Sequence, residues 1–318
     1  MQHTFIKAML CTLILVSSSA HSEVRPARML SVYKGPGCEG AKRLLEFESS
    51  FLGAKVDLAT DALDSRSWKA LHDSVAWGSS CWSKAGRKLT IGLPMLPKDG
   101  SSTLAQGAQG SYDEVFDYVA KTLIATGNAD AIVRIGWEFN GKWFPWAAAR
   151  DPENYKGFWR RIVSIFRNAP GANFRFDWCA ALGKNEIAPD LAYPGDDVVD
   201  IVGANVYNNI WSASASNAEA RWLQYEFGPY GLGWQRDFAR SHGKLMSFPE
   251  WGTGDRPDGH GAGDDAYFIR KMSEWIKSSP VEYHGYWDYR AADYDAMVSD
   301  GRRPNAAKAF KEAFGSLH

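Results

Sequence analysis

Short apolar runs rich in β-branched and aromatic residues recur along the chain, with amphipathic stretches between them. Runs at 28–33, 54–59, 89–95, 131–135, 174–179, 198–207, 244–248 and 283–287 predict eight strands. Helical periodicity covers 39–51, 65–82, 112–125, 152–166, 221–241, 264–277 and 305–314. In the second of these, Trp68, Leu71, Val75 and Trp77 form the apolar face; in the third, Ser111 and Glu114 read as a capping box. Pro152 opens the fourth at a position where a missing N–H is harmless. The alternation runs on without linker-like composition or a low-complexity break, so the chain predicts one α/β domain.

Strand–helix alternation permits an open doubly wound sheet or a closed (β/α)8 barrel. The early turn Gly35-Pro36-Gly37-Cys38-Glu39-Gly40 spaces its glycines as a phosphate loop does. Its Pro and Glu suit a phosphate badly, and no acidic residue closes the second strand cleanly. Eight units favour a single (β/α)8 TIM barrel over residues 23–318.

Residues 1–22 read as a cleaved targeting segment, with Lys7 as the positive region, an apolar core at 8–16 and Ser18-Ser19-Ala20 as the cleavage site. The apolar run is short for a membrane span, so an exported chain, periplasmic or extracellular, is expected. Its loss removes Cys11 and leaves Cys38, Cys81 and Cys179. Cys179 lies in a strand-like run and is expected to be buried, which leaves Cys38 and Cys81 as the expected disulfide.

Formal net charge is −1 without a long run of one sign, which argues against a nucleic-acid partner. Aromatic residues make up 14% of the chain, including 14 Trp, and several gather where the fourth strand ends. There Glu138 sits among Trp137, Phe139, Trp143, Phe144 and Trp146. Aromatic faces suit sugar rings, and a carboxyl in apolar surroundings acquires the raised pKa that a general acid needs. The seventh strand ends in Pro249-Glu250-Trp251, the sixth in Asn205-Val206-Tyr207 and the eighth in Tyr286-Trp287-Asp288. Barrel sites form at the C-terminal ends of strands. Two glutamates across such a mouth provide the nucleophile and the acid/base of glycoside hydrolysis by double displacement.

The pattern resembles the retaining (β/α)8 glycoside hydrolases with glutamates after strands four and seven, and most closely family 26, the β-mannanase-like family. The residues that carry the resemblance are Arg134, Trp137-Glu138, Asn140-Gly141, Trp143-Phe144, Tyr207, Glu250 and Trp287. It implies Glu138 as acid/base, Glu250 as nucleophile, Tyr207 beside the nucleophile and Trp287 under the sugar at the cleavage point. The family usually places His before the acid/base. Trp137 stands there in this chain, so substrate choice among β-mannan, β-glucan, xylan and bacterial exopolysaccharide stays open.

The expected substrate-binding set is Arg134, Trp137, Trp143, Trp146, Tyr207, Trp251 and Trp287, with Trp68, Trp77, Trp159, Trp222 and Trp275 expected in the core. Arg134 is expected below the carboxylates, holding a negative charge in place. The Gly- and Asp-rich loop at 252–265 matches no metal-ligand spacing and reads as mobile or as a contributor to substrate contacts. No cofactor and no metal are expected; the partner is a polysaccharide or oligosaccharide and the chain is expected to be a monomer. Two other readings use the same residues: a non-catalytic carbohydrate-binding barrel in polysaccharide assembly or export, and a transglycosylase.

Overall fold

The computed structural model describes residues 27–315; the expected targeting segment at 1–22 lies outside the described residues. Eight parallel strands close into a barrel in chain order: β1 (Met29–Tyr33), β2 (Leu58–Ala62), β3 (Lys88–Leu93), β4 (Ile132–Ile135), β5 (Arg175–Ala181), β6 (Ile201–Asn208), β7 (Leu245–Thr253) and β8 (Val281–Trp287). The helices are α1 (Gly37–Phe47), α2 (Trp68–Lys84), α3 (Leu104–Ala108), α4 (Asp113–Ala125), α5 (Pro152–Asn168), α6 (Ala218–Phe227), α7 (Leu232–Ser241), α8 (Ala266–Ser278) and α9 (Pro304–Phe314). The predicted (β/α)8 barrel is therefore the fold observed.

Local differences have identifiable causes. The first helix stops at Phe47, passes through a π-turn at Glu48–Leu52 and ends at Gly53 in the left-handed region, which delays β2 to Leu58. Ser111 does not cap α4: Tyr112 occupies the N-cap without a side-chain bond, whereas the Gly- and Gln-rich loop before it holds α3, capped reciprocally by Thr103 and Gln106. The helix expected across 221–241 is two, because Gly228 is extended and Pro229 disfavours helical backbone before it. Trp77 is half exposed rather than core; its ring lies over Gly37, where a Cβ would come within 2.2 Å of it. Trp159, Trp222 and Trp275 are buried as expected. Cys38 and Cys81 are joined in a disulfide between α1 and α2, and Cys179 is free and buried.

The barrel interior is layered, as inward positions on alternate strands require. Leu58, Ile132, Ile201 and Tyr283, from β2, β4, β6 and β8, form an apolar floor. Two residues further along the same strands, the next inward positions are Thr60, Arg134, Gly203 and Gly285. The two glycines in that layer make room for neighbouring side chains: a Cβ at Gly203 would meet Asp177 Oδ1 at 2.4 Å and Ser247 Oγ at 2.7 Å, and one at Gly285 would meet Ser31 Oγ at 2.8 Å, while Arg134 is the layer's one long side chain. At the mouth, Lys34 after β1 pairs with Asp288 after β8 at 2.5 Å, while the backbone N–H groups of Val298 and Ser299 donate to the other Asp288 oxygen. This buried clasp closes the seam between the first and last strands.

Candidate active site

The turn after β4 is built so that Glu138 faces the barrel mouth. Gly136 has φ +50°, and a Cβ there would lie 2.4 Å from the Met95 sulfur. Glu138 itself has φ +53°, unusual for a residue with a side chain, and its N–H bonds the Cys179 carbonyl at 2.8 Å. Strained backbone of this kind persists only where surrounding contacts hold it. Here the Tyr155 hydroxyl and Trp159 Nε1, both on α5, donate to the carbonyls of Gly136 and Ile135. Asn140 ties the loop to the end of β5, donating to the Ala181 and Gly183 carbonyls at 2.8 Å and accepting from Ala181 N–H. Gly141 has no side chain because the Trp143 ring folds over it, 2.3 Å from where a Cβ would be. That fold brings Trp143 Nε1 to 2.7 Å from Glu138 Oε2.

Glu250 is aimed by irregular strand pairing. The β7–β8 register shifts between Phe248 and Trp251, and the β6–β7 register shifts between Gly203 and Val206. Bulges of this type re-aim side chains beside sites and accommodate a proline within a strand, here Pro249. Gly285 permits it: a Cβ there would meet the Pro249 carbonyl at 2.3 Å.

The two glutamates share one buried network. Arg134 Nη1 donates to Glu250 Oε1 at 2.5 Å and to Asn205 Oδ1 at 3.3 Å. Asn205 Nδ2 donates to Glu138 Oε1 at 2.8 Å, and the Tyr207 hydroxyl donates to Glu250 Oε2 at 2.8 Å. Glu250 thus receives a cation and a phenol, one on each oxygen, whereas Glu138 receives only neutral donors. The electrostatic outcome differs accordingly. Burial first, and the Glu250 charge second, push Glu138 up to about 7, against the Asn205 and Trp143 hydrogen bonds and the Arg134 charge. Burial and the same carboxylates hold the Tyr207 phenol well above its ordinary value, so it stays a donor. One carboxyl is poised to carry a proton near neutral pH and its neighbour is held by positive charge and hydrogen bonds, an asymmetry that can divide proton transfer from nucleophilic attack.

The structure corrects part of the expected sugar-binding set. Trp146 is fully buried, donates through Nε1 to the Trp137 carbonyl at 2.8 Å and stacks on Phe144 at 4.5 Å. It shapes the loop and offers no face to a sugar. Trp251 is also fully buried, because strand alternation turns it outward when Glu250 turns in. It packs on Phe268, Tyr286, Phe310 and Phe314, and its Nε1 lies 3.3 Å from His284 Nδ1, an imidazole that burial lowers to about 3 and keeps neutral. Arg134 is 2% exposed and reaches Glu250 rather than the open mouth. Trp137 is 8% exposed, with the Arg134 guanidinium 5.2 Å from its ring centre and Phe144 and Trp146 beside it. Its body supports the arginine.

Trp143, Tyr207 and Trp287 do come together around the glutamates. Trp143 is half exposed; Trp287 stacks on Tyr33 at 4.2 Å and meets Tyr207 edge-on at 6.4 Å. Asn205, absent from the expected set, joins Arg134 to Glu138, and Tyr33 supports the Trp287 ring. Asp177 was also missed: this buried carboxylate below Cys179 on β5 accepts from Ser247 and Tyr283, and burial raises it to about 6 against those bonds. A charged residue inside the buried run Phe176-Asp177-Trp178 was its only signal.

Among the described residues, no group of three or more His, Cys, Asp or Glu is placed to hold a metal ion, and no helix is long and apolar enough to cross a membrane. The loop at 252–265 is braced: Asn209 bridges Gly261, Thr253 Oγ1 donates to the Gly263 carbonyl, and Asp255 pairs with Arg303 and bridges Asp295.

The glycosyl hydrolase family 26 model matches residues 108–223, which hold Arg134, Glu138, Asn205 and Tyr207. The chain is a relative of glycosyl hydrolase family 26. A mannan endo-1,4-β-mannosidase of Bifidobacterium adolescentis is 29% identical over 201 residues, 57% of this chain and 20% of that relative, so the chain spans about a fifth of the relative's length. Among solved structures, the catalytic domain of a family 26 endo-β-1,4-mannanase from Bacillus sp. JAMB-750 superposes with TM-score 0.65 at 19% identity, covering 90% of this chain and 85% of that one. The mannanase of Bacillus subtilis gives 0.62 at 15%, covering 92% and 87%. At such identities the structural likeness shows the (β/α)8 barrel fold alone.

Proposed function

We propose that this chain is a retaining, endo-acting glycoside hydrolase that cleaves a β-linked polysaccharide by double displacement, with β-1,4-mannan as the substrate its relatives favour. The observation that carries the reading is the unequal treatment of Glu138 and Glu250 by one network through Arg134 and Asn205. Glu250 attacks the anomeric carbon while Glu138 gives its proton to the departing glycosidic oxygen. The ionised Glu138 then takes a proton from water, which attacks the same carbon and releases Glu250. Trp287 and Trp143 supply ring faces beside the reacting sugar. The relatives' names favour mannan, whereas Trp137 in place of His is the residue by which this chain could differ. The N-terminal segment at 1–22 belongs to the same proposal as an export signal, consistent with an extracellular polymer as substrate.

The test is reducing-sugar release across β-1,4-mannan, mixed-linkage β-glucan, xylan and the host's own exopolysaccharide, with proton NMR of the first anomer formed. Mannan cleavage with retention supports the proposal. Cleavage of another glycan alone overturns the substrate, and inversion overturns the double displacement. Absence of hydrolysis with retained binding favours the non-catalytic barrel, and transfer to added sugar acceptors favours the transglycosylase.

A further inference from the structure

Two tryptophans on the loops that follow the strands are strongly exposed: Trp143, 50%, which touches Glu138, and Trp211, 61%, for which the catalytic network has no use. Trp211 follows β6 by three residues and Tyr207 by four, so its Cα lies within roughly 14 Å of that of Tyr207, whose hydroxyl bonds Glu250. An exposed indole on a pliable loop would carry little meaning, but this one is mounted. Ile210 N–H donates to the His260 carbonyl at 2.7 Å, His260 Nδ1 lies 2.7 Å from the Ile210 carbonyl, and Asn209 bridges Gly261. The loops after β6 and β7 are thereby zipped together. Trp211 rests against the His260 ring at 4.6 Å, and the Arg256 guanidinium lies 5.1 Å from its ring centre.

We propose that Trp211, backed by His260 and Arg256, is an outlying platform for a neutral sugar residue of the polymer, remote from the bond being cleaved. This deepens the functional reading above and rests on it. The neutral character follows from charge balance. Arg256 pairs with Asp258 at 2.9 Å, and that bond first, with the His260 backbone hydrogen bond next, lowers Asp258 to about 2, so the guanidinium is matched by a carboxylate that stays ionised. An anionic group would meet no unmatched positive charge there. An exposed indole backed by an imidazole and a guanidinium suits the apolar face of a pyranose. The platform also gives the glycine-rich loop at 252–265 a use: it is the brace that presents Trp211.

The test compares Trp211→Ala and Arg256→Ala with the wild type on long β-glycan and on a short oligosaccharide of the same linkage. Loss of one aromatic contact is expected to lower the ratio of kcat/KM on polymer to that on the oligosaccharide about threefold to tenfold in Trp211→Ala, with a smaller fall in Arg256→Ala. An unchanged ratio in an active, folded Trp211→Ala overturns the platform and leaves the glycosidase reading intact. Affinity electrophoresis in polysaccharide gels, using Glu250→Ala with and without Trp211→Ala, reads the platform without catalysis. Weaker retardation on loss of Trp211 supports it, and equal retardation contradicts it. A wild type that neither hydrolyses nor is retarded by any β-glycan removes the functional reading and the platform together.

Discussion

Arg134 on β4 lies directly beneath Glu250 on β7, its Nη1 2.5 Å from Glu250 Oε1, and the same nitrogen reaches Asn205, which holds Glu138. One buried cation therefore supports both carboxyls from inside the barrel. Removing it leaves the Glu250 carboxylate buried with the Tyr207 hydroxyl as its remaining partner. Breaking one side of a buried pair costs about 3–5 kcal/mol. Arg134→Met should lose activity and also stability, read as a lowered midpoint in thermal unfolding; an unchanged midpoint would show that the pair is not structural.

Tyr207→Phe removes the donor to the second Glu250 oxygen, a 2.8 Å bond, without changing shape. A hydrogen bond to a charged group is worth about 1.5–3 kcal/mol, so kcat/KM should fall roughly tenfold to a hundredfold. The fold should be unaffected by circular dichroism. A fall of less than threefold would deny Tyr207 an orienting role.

Glu138, raised to about 7 mainly by burial, must be protonated to act as the acid. The alkaline limb of kcat/KM should therefore fall as pH passes through about 7. The stability consequence has a definite sign. A carboxyl whose folded pKa lies above its unfolded value contributes stability that is fully present below the unfolded pKa and lost as pH rises through the folded one. Glu138→Gln should accordingly be inactive yet more stable than the wild type above pH 7, with the gap narrowing towards acid pH. Chemical denaturation at both pH values checks this, and a variant less stable at alkaline pH would contradict it.

The Cys38–Cys81 disulfide closes 43 residues of chain, for which the loop-entropy estimate is about 4 kcal/mol. Reduction, or Cys38→Ser with Cys81→Ser, should lower the unfolding midpoint by several degrees and leave native activity intact. Cys179, buried in β5, should resist thiol reagents until the protein unfolds.

Much of the barrel was legible because each strand is a short apolar run bounded by turn residues, and period-two alternation places Arg134, Asn205 and Tyr207 on inward positions. Alternation counted along β7 from the inward Ser247 would turn Glu250 out and Trp251 in; the register shift reverses this, so Trp251 reads as outward only from its adjacency to an inward Glu250. Trp146 was not separable in this way: an aromatic in a long loop reads alike whether it stacks on a sugar or, as here, plugs the loop against Phe144 and Trp137. Trp77 shows the converse, an apolar position on a helix face that ends over Gly37 rather than in the core. The register shifts that aim Glu250 depend on neighbouring strands and leave only Pro249 and Gly285 as traces. Trp211 acquires meaning only when the loops after β6 and β7 are seen zipped together.

The central claim is that Glu138 and Glu250 form one catalytic pair. Its most direct test is the rate of reducing-sugar release from β-1,4-mannan by the wild type, Glu138→Ala and Glu250→Ala, each shown to be folded. The account predicts a hydrolytic wild type and a loss of about a thousandfold or more in each variant; near-wild-type hydrolysis by either one would contradict it.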